Sequence, residues 1–449
     1  MNAWFGILAV FAGLATCFAA LRLLEVFVSP HPEVLRKLMH VLMGLVATSF
    51  PWLFDQVWPV ALLAVGSIIA LILVRSGVSA AGSLRGVLHG VKRSSWGELL
   101  FPVAVALVFA LADGDPLLYC VPILILTLAD AVAALIGIYY GQIQFSTLEG
   151  RKSIEGSLAF FIVAFLCVHI VLLLFTEVGR LESLLIGLLM GVIAMMFEAV
   201  AWRGLDNLFI PVASFGLLQT YLEMDAAALS VRLVVILLLG VFLLFWRRRS
   251  TLDDSALIGA GLVAYGAWAI GGLYWLMVPA SVFVAATVLA QRAEPEHRGK
   301  IHTVYALLSI AGPGFAWLIL NQNISSVDLL FAYTVAFAAH LTMLGISRAC
   351  FGRDHQPVIR FMPAVLQGWL VVLLFCVLMW GFGLRLITAA VIGGVAMLLA
   401  ALAFWSLQPD LDDCPVSPAR WTRQALISAV VSALAWLSIG VDGAGGLQG

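Results

Sequence analysis

The stretch Thr127–Ser157 reads TLADAVAALIGIYYGQIQFSTLEGRKSIEGS. It begins inside an apolar run and ends in a polar loop. Asp130 stands among aliphatic residues, where hydrocarbon offers a carboxylate no water. On a helix, Asp130, Ala134, Gly137 and Gly141 recur at three- and four-residue spacings and share one face. That face suits either close packing on a neighbouring helix or a ligand brought up to the backbone. Lys152, Ser153, Glu155, Gly156 and Ser157 then open the next apolar run. A cation, hydroxyls, helix-start amides and a carboxylate are the groups that phosphate chemistry uses. A plainer alternative stands beside this one: Asp130 satisfies a neighbouring helix and Lys152 follows the inside-positive charge bias. No Walker loop or kinase glycine-rich loop is present.

Outward from this stretch the chain is apolar throughout. Of 449 residues, 63% are hydrophobic and 11% charged, and the mean hydropathy is +1.08. These values exclude an ordinary soluble domain and predict an all-α, polytopic integral membrane protein. Roughly sixteen apolar runs of spanning length follow one another, from 4–28, 38–54 and 57–74 through to 384–406 and 422–440, in two eight-helix halves. The net charge of -1 gives no support for nucleic-acid binding. The eight histidines lack metal-ligand spacing, and the six cysteines imply no disulfide framework. The run 4–28 lacks a basic segment before it and reads as a retained first helix, not a signal peptide.

Charge supplies an independent check on the count. Twenty of the 24 basic residues fall in loops that follow odd-numbered spans. The exceptions are Arg22, Arg180, Arg232 and Arg385. This bias predicts an outside N-terminus and a cytoplasmic face for every odd loop. The loops with Arg36 and Lys37, with Lys92 and Arg93, with Lys152 and with Asp206 then meet cytosolic nucleotides. The basic segment 78–92 reads as an amphipathic surface helix, and Asp113–Pro116 as an acidic external turn.

Further motifs cluster in the first half. Arg36-Lys37-Leu38-Met39-His40 enters the second span, with Gly44 one turn on. Glu98 opens the fourth span. Glu198 closes the seventh, and Asp206-Asn207 open the eighth after Arg203-Gly204-Leu205. His40 suits a proton relay or a phosphate contact; an interfacial histidine beside snorkelling cations is the plainer alternative.

These residues resemble the polyprenol, dolichol and phytol kinase family of integral membrane enzymes. The resemblance covers about residues 30–220 and rests on an Asp in a span, a small-residue ladder, a Lys-Ser-x-Glu-Gly-Ser loop, an Arg-Lys-x-x-His element and a Glu followed by Asp-Asn. Ala129 stands where the family often has Gly. The resemblance implies transfer of a phosphoryl group from CTP or another nucleoside triphosphate to a long-chain isoprenoid alcohol, at the cytoplasmic face and with Mg2+ or another divalent cation. It implies catalytic roles for Asp130, Lys152, Glu155 and His40. Nucleotide or phosphate contacts fall to Arg36, Lys37, Lys152, Ser153, Gly156, Ser157, Gly137 and Gly141, and metal contacts to Asp130, Glu198, Asp206 and Asn207.

Residues 1–250 form the expected kinase-like domain, ending at Arg247-Arg248-Arg249. Residues 251–449 form a second multi-span domain with a faint resemblance to the phytyl-phosphate kinase family, carried by its glycine-rich start and by Arg298-Gly299-Lys300 with His302. It lacks that family's later acidic residues, so it is expected either to phosphorylate a second time or to be non-catalytic. His340 reads as a helix–helix contact, and Asp410, Asp412 and Asp413 as a solvated acidic loop. A cytidylyltransferase that forms a CDP-lipid and a lipid or small-solute transporter are the other functional readings. Intramembrane carboxylates concentrated in one half disfavour the transporter.

The topology is directly testable. In a background without the six natural cysteines, Glu177→Cys should react with an impermeant thiol reagent added outside intact cells. Arg203→Cys should react only after the membrane is opened. The reverse pattern would contradict the assigned orientation.

Overall fold

The computed structural model describes residues 2–76, 96–148, 150–291, 302–324, 326–350, 361–408 and 417–444. The segment 78–92, Glu149, the Arg298-Gly299-Lys300 loop, Cys414 and the aspartates Asp410, Asp412 and Asp413 lie outside the described residues. Those that are described form an all-α polytopic membrane protein. Eleven helices are long and apolar enough to cross a membrane, and Val57–Leu73, Gly97–Ala112 and Leu273–Leu289 are shorter apolar helices. The chain divides into two compact units, Met1–Val235 and Ile236–Gly449. The division falls inside the helix Ala226–Trp246, ahead of the arginine-rich turn.

In the first unit the elements that matter are α1 (Ala3–Val28), α2 (Pro32–Thr48), α3 (Phe50–Leu53), α4 (Val57–Ser76), α5 (Gly97–Ala112), α6 (Pro116–Leu124), α7 (Asp130–Tyr140), α8 (Ile154–Phe175), α9 (Arg180–Val200) and α10 (Asp206–Leu222). Helix α2 starts earlier than its apolar run does. Pro32 sits in its first turn, and the His31 ring accepts the Glu33 N–H, so the polar residues Glu33, Arg36 and Lys37 are helical. Proline is well placed there because the first-turn N–H has no intrahelical partner.

The fifth span is not one continuous α-helix. A π-helical turn, Ile125–Ala129, joins α6 to α7 and ends immediately before Asp130. Pro122 lies three residues upstream and contributes no N–H. Such wide turns recur at functional sites. The turn before α6 is the expected acidic one: Asp113 and Gly114 have positive φ, and the Asp115 carboxylate accepts the Leu117 and Leu118 N–H groups at 2.8 and 3.2 Å.

Helix α2 packs antiparallel against the fifth span. Tyr119 donates its hydroxyl to the Ala47 carbonyl at 2.9 Å. One turn on, a Cβ at Gly44 would run into the Thr127 side chain. Only glycine permits this approach, and it brings the polar end of α2 alongside Asp130.

The polar loop after α7 is a β-hairpin, which hydropathy does not announce. Strands β1 (Gln144–Thr147) and β2 (Gly150–Ser153) pair antiparallel, with Gln144 opposite Ser153 and Phe145 opposite Lys152. Gly150 takes φ 132°, outside the range of other residues. The Ile154 N–H donates to the Ile143 carbonyl at 2.8 Å, and Ser153 caps α8 by accepting the Gly156 N–H at 3.1 Å.

The second unit is built around the helix Val327–Cys350, of whose central window 94% is buried. It packs on Val304–Ile324, Met362–Trp380, Leu384–Leu407 and Pro418–Ala444. Tyr333 donates to the Trp275 carbonyl at 3.0 Å and Ser428 to the Ala336 carbonyl at 2.8 Å. His340 is fully buried beside Gln424 and Ser309, but neither of its ring nitrogens has a hydrogen-bond partner among the described residues, so the helix–helix bond expected of it is not seen.

The α7–α8 crossing is close. A Cβ on Gly156 would meet the Ala133 carbonyl and Ser153 Oγ at 3.0 Å and Gly137 Cα at 3.3 Å. Gly156→Val should therefore lower stability by about 1–3 kcal/mol through overpacking. Thermal unfolding in detergent checks this, and an unchanged unfolding temperature would contradict it.

Candidate functional site

The site is assembled from five elements at one end of the first unit. Lys37, His40 and Gly44 share one face of α2 at three- and four-residue spacing. Because Gly44 seats on Thr127, this face runs down onto Asp130. Lys37 Nζ donates to Asp130 Oδ2 at 2.7 Å, and only 9% of the lysine side chain is exposed. His40 Nε2 lies 3.7 Å from the same Asp130 oxygen and 3.4 Å from the Leu126 carbonyl. Leu126 lies within the π turn and Asp130 follows it directly, so the widened geometry bears on both contacts. The Phe101 ring meets His40 edge-on at 5.4 Å.

A second ion pair closes the other side. Lys152, on β2, donates to Glu198 Oε1 at 2.8 Å and also to the Glu198 backbone carbonyl at the end of α9. Burial opposes the charge on Lys152. The Glu198 carboxylate, with Asp206 and Asp130 beyond it, outweighs this and holds its pKa above the ordinary lysine value. The lysine's share of the pairing therefore contributes stability at neutral pH and is lost as the solution becomes strongly alkaline. Arg203 and Gly204 have positive φ and turn the chain between Glu198 and Asp206. The Arg203 carbonyl also accepts the Trp96 N–H at 2.9 Å, which fixes this turn to the start of α5.

Asp206 lies within electrostatic range of Asp130, Lys152 and Lys37. Its Oδ1 accepts the Asn207 N–H at 3.1 Å. Asp130, Glu198, Asp206, Lys37, Lys152 and His40 therefore form one cluster of alternating charge, in a region where each unpaired charge would be costly.

Other expected site residues lie elsewhere. Glu155 does not join the cluster: its carboxylate accepts the Ile143 N–H at 3.1 Å and clasps the base of the hairpin. Gly137 and Gly141, expected to face a nucleotide, face protein instead. A Cβ on Gly141 would lie 2.8 Å from Ser153 Cβ, and one on Gly137 3.2 Å from Ser153 Oγ. Of the two uses open to the small-residue face, helix packing is the one observed. Ser153 is a helix cap, and Gly156 sits at the crossing. Arg36 pairs with Glu33 on the exposed rim, within electrostatic range of Asp130 and Glu98. Glu98 itself pairs with Arg75 at 3.1 Å. Ser157 Oγ is buried without a hydrogen-bond partner among the described residues.

Thr127 is the residue that sequence reading missed. Its hydroxyl is likewise buried with no hydrogen-bond partner, three residues before Asp130. A threonine in an apolar run normally bonds its own helix carbonyl, so nothing in the sequence marks it; the π turn withdraws the usual acceptor geometry.

Carboxylate and amide oxygens suit a hard divalent cation such as Mg2+. Among the described residues, however, no three His, Cys, Asp or Glu side chains converge as a metal site. Asp130 and Glu198 each accept a lysine, which leaves Asp206 and Asn207 as the fitting part of the expected donor set.

Comparison with known proteins agrees with the sequence resemblance. Over 219 aligned residues the chain is 29% identical to the phytol kinase of Synechocystis sp., covering 46% of this chain and 87% of that protein. The chain is similar to a phytol kinase. No family model matches it, and neither does any solved structure.

The paired lysine gives a stability test. Lys152→Met should strand the buried Glu198 carboxylate and cost about 3–5 kcal/mol. Adding Glu198→Leu should recover most of that loss, because the stranded charge is then gone. Unfolding of the single and double variants measures both steps; a single variant as stable as the wild type would contradict the pairing.

Proposed function

We propose that the first unit is a lipid-alcohol kinase, which transfers the terminal phosphoryl group of a nucleoside triphosphate to the hydroxyl of a long-chain isoprenoid alcohol. The observation that carries the proposal is the buried Lys37–Asp130–His40 group facing Lys152, Glu198 and Asp206. Phosphoryl transfer needs cations to spread charge on the phosphates and a base for the attacking hydroxyl, and this cluster supplies both. The similarity to a phytol kinase supports the alcohol class.

In this reading the alcohol oxygen attacks the terminal phosphorus, and the bond from that phosphorus to the bridging oxygen breaks. The nucleoside diphosphate leaves, and the hydroxyl proton passes to Asp130, with His40 beside it to carry the proton onward. Lys37 keeps Asp130 ionised and aimed. Lys152 exchanges Glu198 for a phosphate oxygen, and Arg36 meets the nucleotide at the rim. Asp206 and Asn207 would hold the divalent cation, which on binding neutralises triphosphate charge.

The family resemblance favours CTP, and the basic-loop bias favours the cytoplasmic face. A second phosphoryl transfer in residues 251–449 rests on sequence resemblance alone.

The test uses purified protein, Mg2+ and terminally labelled CTP or ATP with phytol, farnesol, undecaprenol, dolichol and diacylglycerol. Label should appear in an organic-soluble isoprenoid monophosphate. Release of pyrophosphate instead would indicate a cytidylyltransferase, and folded protein that labels no lipid would overturn the kinase reading.

A further inference from the structure

The second unit holds a largely buried cationic cluster that the kinase reading does not use. It lies where four helix ends meet: the start of Asp254–Gly271, the start of Val304–Ile324, the end of Val327–Cys350 and the start of Pro418–Ala444. Its frame is a short backbone clasp. His302 N–H donates to the Thr251 carbonyl at 3.1 Å, and Asp253 N–H to the His302 carbonyl at 2.9 Å. The His302 ring, 8% exposed, meets Thr251 Oγ1 through Nδ1 at 2.8 Å and the Trp421 ring edge-on at 5.4 Å. Beneath them, Ala306, Leu344 and Trp421 form an apolar floor.

Two guanidinium groups face this histidine. Burial, then Arg348 and then Arg420, push the His302 imidazole down to about 3, so the ring is neutral at physiological pH. Arg420 is 3% exposed; it donates to Ser347 Oγ and lies over the Phe404 ring at 5.5 Å. Arg423 stands one turn on, donating to Gln408 Oε1 at 3.0 Å. Arg348 is the anomaly: its Nη1 is buried and has no hydrogen-bond partner among the described residues. The ion-paired carboxylates described in this unit, Asp254 and Asp328, go to Arg247 and Arg385, and among the described residues no carboxylate pairs with Arg348.

A half-buried guanidinium whose Nη1 is fully buried, and which has no counter-charge among the described residues, is unfavourable. Planar donors converging beside a neutral imidazole and hydroxyls match the oxygens of a phosphate group. We propose that this cluster binds a phosphate-bearing anion through Arg348, with Arg420 and His302 beside it, at a site other than the Asp130 cluster. The chemistry is shared by a free phosphate and by the phosphate monoester headgroup of a lipid. This assignment does not rest on the kinase reading.

The test is thermal unfolding of the full-length protein. The probes are inorganic phosphate in solution, and phosphatidic acid in nanodiscs otherwise made of phosphatidylcholine. Either probe should raise the unfolding temperature of the wild type. Stabilisation by free phosphate identifies a soluble source, and stabilisation by phosphatidic acid alone a lipid one. Arg348→Met should unfold at a higher temperature than the wild type without anion, because a buried uncompensated charge is removed. It should also weaken anion affinity at least tenfold. Arg348→Lys, which keeps the charge, should bind with intermediate affinity. Phosphate held only by the Asp130 cluster would leave the Arg348→Met response equal to that of the wild type, and this result would overturn the proposal. So would the absence of any stabilisation, or an Arg348→Met protein less stable without anion than the wild type. Loss of kinase activity in Asp130 variants would leave this result unaffected, so the two readings fail separately.

Discussion

The Lys37–Asp130 ion pair, 2.7 Å long and almost withdrawn from solvent, is the contact on which the first unit depends. Removing one partner of such a pair costs about 3–5 kcal/mol, because the other charge is left buried. The geometry that allows it is demanding. Glycine at position 44 lets α2 approach the π turn, Tyr119 bonds the far end of the same crossing, and the π turn presents Asp130 at its close. Lys152–Glu198 repeats the arrangement with different elements, a hairpin strand and a helix end. Lysines that hold carboxylates in the resting protein are the groups that a triphosphate can recruit. The arrangement therefore serves both stability and the proposed chemistry.

The two units solve the problem of buried charge differently. In the first, cations and anions alternate and largely satisfy one another. In the second, the helix Val327–Cys350 is enclosed by its neighbours and carries His340 in its interior, while its end brings Arg348 into a cluster with other cationic and neutral donors. A cation with no counter-charge among the described residues is the ground on which an anion supplied from outside the fold is proposed.

Much of the architecture was legible from hydropathy, because a helix in lipid must satisfy its own backbone and be long enough to cross. The expected spans 57–74 and 384–406 differ by no more than two residues at either end from Val57–Ser76 and Leu384–Leu407. Hydropathy failed where polar residues are helical: the span expected from 38 begins at Pro32, and that extension carries Lys37. It also could not see the π turn, which is a matter of hydrogen-bond register, or the hairpin, which is too short and polar to register as a span. Asp130 was singled out correctly as a costly carboxylate, but its partner lies 93 residues away and no local pattern names it. The glycine ladder was read in two ways, and the close α7–α8 crossing selects packing. Glu155 looked like a site residue because it is the carboxylate of the Lys-Ser-x-Glu-Gly-Ser loop that carries the family resemblance. Lys152 lies on the strand and Glu155 in the first turn of the helix that follows, and Glu155 clasps the hairpin instead.

The central claim is that Asp130 serves the reaction as well as the fold. The most direct measurement is phosphoryl transfer to the preferred alcohol by Asp130→Asn, at saturating nucleotide, beside thermal unfolding of the same preparation. Asparagine keeps the shape and can still accept a hydrogen bond from Lys37, but it cannot take up the hydroxyl proton. The account predicts a folded protein whose turnover falls about a hundredfold or more. A folded Asp130→Asn protein with wild-type turnover would contradict it.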